Sequence, residues 1–174
     1  LEYLKKDLSP NPKYETFERT TLKDKVSEHL KKYKRRNEFN SQFFEKPIPG
    51  EKYVLFPIHL DPEMATMVRA PMYINQLATA ENIAKSLPVT HKLYVKEHPM
   101  MAFFGEVRDP EFYRGLKKIP NVRLIAPQLD SRPMIAKSEM VMVITGTAGW
   151  EAILLKKPVI TFGEVFFNKL SMAH

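Results

Sequence analysis

Three short stretches of this 174-residue chain bring together side chains able to hold an anion or move a proton. The first is Thr145-Gly146-Thr147-Ala148-Gly149, which follows the apolar run Val141 to Ile144 and leads into Trp150-Glu151-Ala152. Small residues let a ligand approach the backbone. The free amides of a first helical turn donate to an anion, and the helix dipole favours negative charge there. The hydroxyls of Thr145 and Thr147 add donors, and Glu151, one helical turn after Thr147, is placed to accept hydrogen bonds from ribose hydroxyls. The same spacing fits a purely structural connection equally well. In that reading Gly146 and Gly149 serve a tight turn, Thr147 caps the helix, and Glu151 is a first-turn acid favoured by the dipole. The stretch is neither a Walker motif, since no Gly-Lys-Ser/Thr follows, nor a three-glycine dinucleotide fingerprint.

The second stretch, Lys96-Glu97-His98-Pro99, sets a cation, an acid and an imidazole on one loop. His98 is suited to donate to a phosphate or a leaving-group oxygen, and Lys96 to neutralise charge there; the bland alternative is a polar loop with a capping histidine. The third, His59-Leu60-Asp61-Pro62-Glu63, contains a His-x-Asp pair. No second cluster with ligand spacing accompanies it, so a bound metal is not expected and a substrate-facing loop is.

The elements that must position these groups follow from the apolar pattern. Beyond Pro47, Pro49 and Gly50, short apolar runs at Tyr53 to Ile58, Lys92 to Lys96, Val122 to Ile125, Met140 to Ile144 and Val159 to Phe162 alternate with segments of helical period. Runs apolar on both faces predict parallel strands covered by helices, here at about 72–87, from Asp109-Pro110 onward, at 131–138 and at 147–155. This predicts an α/β fold with an open, doubly wound, mainly parallel sheet of at least five strands. In such a sheet ligands sit beyond the carboxyl ends of the strands, where all three stretches fall. Residues 1–50 read as a basic helical lead-in or linker, with a helix capped by Thr21 and an apolar stripe of Leu22, Val26, Leu30 and Tyr33. Residues 51–174 read as the Rossmann-like domain.

Composition narrows the setting. A hydrophobic fraction of 44% suits a folded domain, and no window approaches the roughly 18 apolar residues of a membrane span. The first residues lack the apolar stretch of a secretory signal, and the chain has no cysteine, so disulfides and thiolate chemistry are excluded and a cytoplasmic location is expected. The net charge is +7, densest near the N-terminus, where Lys31 to Arg36 cluster. That cluster suits a solvated helix face better than a site for nucleic acid or an anionic membrane surface.

The blocks Tyr53 to His59, Leu93 to Pro99, Ile119 to Val122, Thr145 to Ala152 and Lys157 to Gly163 resemble, in order, the carboxy-terminal Rossmann-like domain of bacterial capsule and surface-polysaccharide biosynthesis proteins, a group related to the Kdo transferases of capsule assembly. The resemblance covers about residues 53–168. It implies half of a GT-B glycosyltransferase, with no cofactor and with a CMP- or UDP-linked nucleotide-sugar donor as substrate. A saccharide or glycolipid is the implied acceptor, and a facing amino-terminal domain the partner. It maps donor phosphate contacts onto His98-Pro99 and onto Thr145 and Thr147, with His98 the candidate leaving-group stabiliser. The expected donor-binding set is His59, Lys96, Glu97, His98, Thr145, Gly146, Thr147 and Glu151. Two departures stand out. Thr145-Gly146-Thr147 replaces adjacent serines, and Lys157 stands where a glycine commonly precedes the proline. The chain is expected to be a piece of a longer protein, inactive alone, whose acid/base residue lies in the other domain. Two other functions compete with this one: a nucleotide-sugar 2-epimerase, and a non-catalytic binder of nucleic acid or anionic membrane acting through the basic helix.

Overall fold

The computed structural model describes residues 43–60, 64–104 and 108–170, with residues 26, 27 and 30 in a helix ahead of them. The Thr21 cap, the lysine-arginine cluster, Asp61 and Glu63 lie outside the described residues.

Strands β1 (Tyr53–Pro57), β2 (Lys92–Lys96), β3 (Val122–Ile125), β4 (Met140–Val143) and β5 (Val159–Thr161) form one parallel sheet in the order β3-β2-β1-β4-β5. The helices are α1 (Met64–Arg69), α2 (Gln76–Ser86), α3 (Pro99–Phe104), α4 (Pro110–Lys117), α5 (Ser131–Lys137) and α6 (Ala148–Leu154), with a 3-10 turn at Pro71–Tyr73. The doubly wound α/β architecture expected from the apolar runs is the one found.

Strand periodicity sorts the core into two layers. Val54, Phe56, Leu93, Val95 and Leu124 face one side with Ala80, Ile83 and Leu116 of α2 and α4. Tyr53, Leu55, Tyr94 and Val141 face the other with Ile135 and Ala152 of α5 and α6. Leu55 and Phe56 are fully buried on opposite faces of the central strand, and truncating either to alanine would cost about 2–5 kcal/mol. Tyr53 and Tyr94 stack at 4.0 Å between ring centroids, and burial pushes both phenols up to about 12.

Local caps set the helix starts. Asn75 accepts from the Ala78 amide at 3.1 Å, Asp109 from Glu111 at 2.9 Å, and Asp130 from Arg132 at 3.0 Å. The Asn75 cap, preceded by Pro71, explains why α2 begins at Gln76 rather than near residue 72. Two helices escape the periodicity. Helix α1 follows a stretch that reads as a loop, and α3 opens at Pro99, where the sequence reading placed only a pinned loop; proline is pre-set for the first helical position. Helix α6 ends in paired bonds from Lys156 N to Ile153 O and from Lys157 N to Ala152 O, with Lys156 in the left-handed region at φ 56°. The backbone that favours glycine is therefore at Lys156, one residue before the position the family resemblance singled out.

The folded unit reaches back before residue 50. Phe43 and Phe44 pack on Tyr113 at 5.7 and 5.6 Å, the Glu45 amide donates to Leu124 O at 2.7 Å, and Arg123 binds Glu45 and Glu51 at 2.6 and 2.7 Å. The prolines at 47 and 49 thus punctuate a packed segment that the sequence reading assigned to the lead-in.

Candidate functional site at the switch point of the sheet

The strand order reverses between β1 and β4, so the loops leaving these two strands flank the crevice where open α/β sheets place ligands. There His59 Nε2 accepts the Thr145 amide at 3.2 Å. Nε2 is therefore unprotonated, and in the neutral ring Nδ1 carries the proton. Gln76 grips the peptide of the same histidine, its Oε1 accepting from His59 N at 2.7 Å and its Nε2 donating to His59 O at 3.3 Å.

The turn after β4 separates into groups needed by the fold and groups that are not. A side chain on Gly149 would meet Phe167 at 2.8 Å and Val143 at 2.9 Å, so packing demands glycine there. A Cβ on Gly146 would find only ordinary contacts, His59 Nε2 at 3.6 Å being nearest, and its backbone is not left-handed. Thr147 occupies the N-cap position of α6 without a side-chain cap bond, and it is exposed. Glu151, one turn on and exposed, donates its amide to Thr147 O at 3.1 Å. Thr145 differs. Its methyl lies where a Gly163 side chain would be, at 2.7 Å, and its Oγ1 is buried with no partner among the described residues. Thr147 is thus exposed, Gly146 is half-buried beside His59, and the Thr145 hydroxyl is held inside. Behind them Trp150 packs against Phe166 at 5.3 Å and Phe167 at 6.3 Å.

The loop after β2 is arranged the other way. Lys96 is buried, its ammonium donating to Pro127 O at 3.3 Å and Glu97 O at 3.4 Å. Burial lowers its pKa, opposed by the charges of Glu97 and Asp130. Glu97 is also buried and accepts from His98 N at 2.7 Å, Tyr113 OH at 2.6 Å and Arg108 Nε at 3.1 Å. Burial first, and then the Glu97 charge, hold the Tyr113 phenol far above its ordinary range. Arg108 also donates from Nη2 to His59 O and lies 5.0 Å over the Phe112 ring. His98 is half-buried, and its Nδ1 accepts the Met100 amide at 3.2 Å, which leaves Nε2 as the N–H of the neutral ring. Of the three motif residues, Lys96 and Glu97 are buried and His98 is half-buried.

Of the expected donor-binding set, the structure joins His59 directly to Thr145, sets Gly146 beside its ring, and leaves Thr147 and Glu151 exposed. It buries the charges of Lys96 and Glu97 in protein contacts. Arg108 and Gln76 escaped the sequence reading. A buried acid after a strand calls for a cation, but nothing in the spacing picks Arg108 from the other basic residues. Among the described residues no group of three or more His, Asp or Glu is arranged to hold a metal ion, and no helix is long and apolar enough to cross a membrane.

Comparison with solved structures finds the same fold at low identity. A beta Kdo 2,7 transferase of Thermosulfurimonas dismutans KpsC is 16% identical with a TM-score of 0.56, over 89% of this chain and 47% of that one. The beta Kdo 2,4 transferase of the same KpsC is 16% identical with a TM-score of 0.53, over 92% and 50%. A UDP-GlcNAc 2-epimerase of Methanocaldococcus jannaschii is 15% identical with a TM-score of 0.51, over 81% and 38%. The chain thus spans about half the length of the two transferase chains. A comparison with curated protein sequences finds no match. Residues 9–173 match the family model described as capsule polysaccharide biosynthesis protein, and the chain belongs to that family.

Proposed function

We propose that this chain is the donor-binding part of a glycosyltransferase of capsular or surface polysaccharide synthesis, and that the crevice between the β1 and β4 loops receives the phosphate of a nucleotide-sugar. The observation that carries this reading is the glycine at 146. The fold does not demand it, whereas it does demand Gly149, and a bare backbone at the crevice is what close approach of a phosphate requires. The uncapped Thr147 hydroxyl supports the same reading, since a threonine kept only to cap α6 would have its oxygen on the helix amides.

In this reading the donor's phosphate lies against the Gly146–Thr147 backbone and the Thr147 hydroxyl. His98 donates from Nε2 to the same charge as the glycosidic bond to phosphate breaks, and preformed donors aimed at developing charge lower the barrier to departure. Glu151 accepts from ribose hydroxyls. A facing domain supplies the acceptor site and the proton-transfer group, so residues 1–174 alone bind nucleotide and turn over poorly.

A calorimetric screen of CMP, UDP, GDP and their sugars, repeated with His98→Ala and Thr147→Val, tests the reading. One nucleotide is expected to bind and each substitution to weaken it by about tenfold, the loss of one charge-assisted hydrogen bond. Absence of binding by any nucleotide, or binding that survives both changes, would refute it.

A further inference from the structure

Two loops that the sequence keeps far apart are joined by one chain of polar contacts that is buried at its centre. It runs from the Thr145 amide to His59 Nε2, from the carbonyl of His59 to Arg108 Nη2, from Arg108 Nε to Glu97 Oε2, and from Glu97 Oε1 to the His98 amide. The Arg108 and Glu97 side chains are 4% and 0% exposed. No solvent screens the ion pair, and its guanidinium fork spends one arm on the acid and another on the histidine peptide. Gln76 binds the amide and the carbonyl of His59 with two more bonds, so His59 cannot shift without breaking them.

We propose that Arg108, Glu97 and His59 are positioning residues that hold the His98 loop and the 145–147 turn in a single geometry, so that the two sides of the crevice are preorganised together. This rests on reading the crevice as the donor-phosphate site. None of the three touches the ligand. Each sets where a group that does will lie, and a displacement of about 1 Å in such a group can cost about 100-fold in function.

The chemistry of the contacts supplies the test. A glutamine at position 59 can bring its carbonyl to where Nε2 now accepts, whereas an asparagine reaches only as far as Nδ1. Arg108→Lys keeps a cation against Glu97 but lacks the second arm for His59 O. In the 174-residue chain, hydrogen exchange of the Thr145 amide, which His59 Nε2 accepts, is expected to accelerate in His59→Asn and Arg108→Lys by about tenfold or more. In His59→Gln it is expected to stay slow, and exchange in β1 to be unchanged in all three. A role confined to general stability would instead speed exchange across the whole sheet. Should Arg108→Lys not fold, the Gln and Asn pair at 59 decides alone. The proposal is overturned if exchange of the Thr145 amide stays at the wild-type rate in His59→Asn, or rises equally in His59→Gln. Calorimetry with CMP and UDP separates the two readings. Failure of the unsubstituted chain to bind either removes the donor site, yet coupled exchange would still establish the positioning contacts.

Discussion

The two loops that meet at the crevice use polar residues in opposite ways. The loop after β2 is rich in formal charge and turns most of it inward, with Lys96 and Glu97 both buried among protein partners. The turn after β4 carries no charge before Glu151, leaves Thr147 exposed and uncapped, and half-buries Gly146. The difference teaches that the charged side chains of a motif can be spent on packing rather than held out toward solvent. A buried ion pair is costly to desolvate and is retained where it fixes geometry, whereas a neutral, bare turn costs little to leave open.

The largest effect expected from this contrast is at Glu97. Glu97→Ala leaves the Arg108 guanidinium buried without its acid and should destabilise the chain by about 3–5 kcal/mol in denaturant unfolding. A loss under about 1 kcal/mol would mean that the pair is not organising the site. Next come the paired glycines. Gly149→Ala drives a methyl into Phe167 and Val143 and should cost about 1–3 kcal/mol, whereas Gly146→Ala should leave the melting temperature nearly unchanged and weaken nucleotide binding. Equal stability losses at both positions would erase the distinction on which the proposed site rests. Thr145→Val should go the other way. It replaces a buried hydroxyl that has no partner among the described residues by a methyl of like shape, and stability should rise by up to about 1 kcal/mol.

The smallest effect is a pH dependence away from the crevice. The hydrogen bond from Arg123, aided by the Tyr94 hydroxyl and opposed by burial, holds Glu51 below the ordinary carboxylate value. A lowered folded pKa means stability that is present above the ordinary value of about 4.3 and is lost as pH falls through the lower folded value. Acid titration followed by near-ultraviolet circular dichroism of the stacked tyrosines should show this limb in the native chain and lose it in Glu51→Gln. An identical titration in the two would break the link between Glu51 and the packing of residues 43–52.

Much of the sheet could be read from the sequence because buried parallel strands are apolar on both faces, and Val54 to Phe56 or Leu93 to Val95 leave little choice. Helices α1 and α3 could not. Each spans six residues, too few for a helical period, and Met64 to Val68 reads equally well as extended chain. At the site, the motif residues were found because they are contiguous. Arg108 and Gln76 were not, because their partners lie 49 and 17 residues away from them at His59, and only the folded backbone brings them there. That Lys96 and Glu97 both turn inward is likewise a property of packing, and neither carries a local sign of it.

One side chain behind the turn gives this molecule an optical reporter. Trp150 is the single tryptophan of the chain and begins three residues after Thr147, with its indole against Phe166 and Phe167. Any rearrangement of the turn on filling the crevice should alter its emission maximum and its quenching by acrylamide. Occupancy can then be followed by light, without a label and before any substrate has been identified.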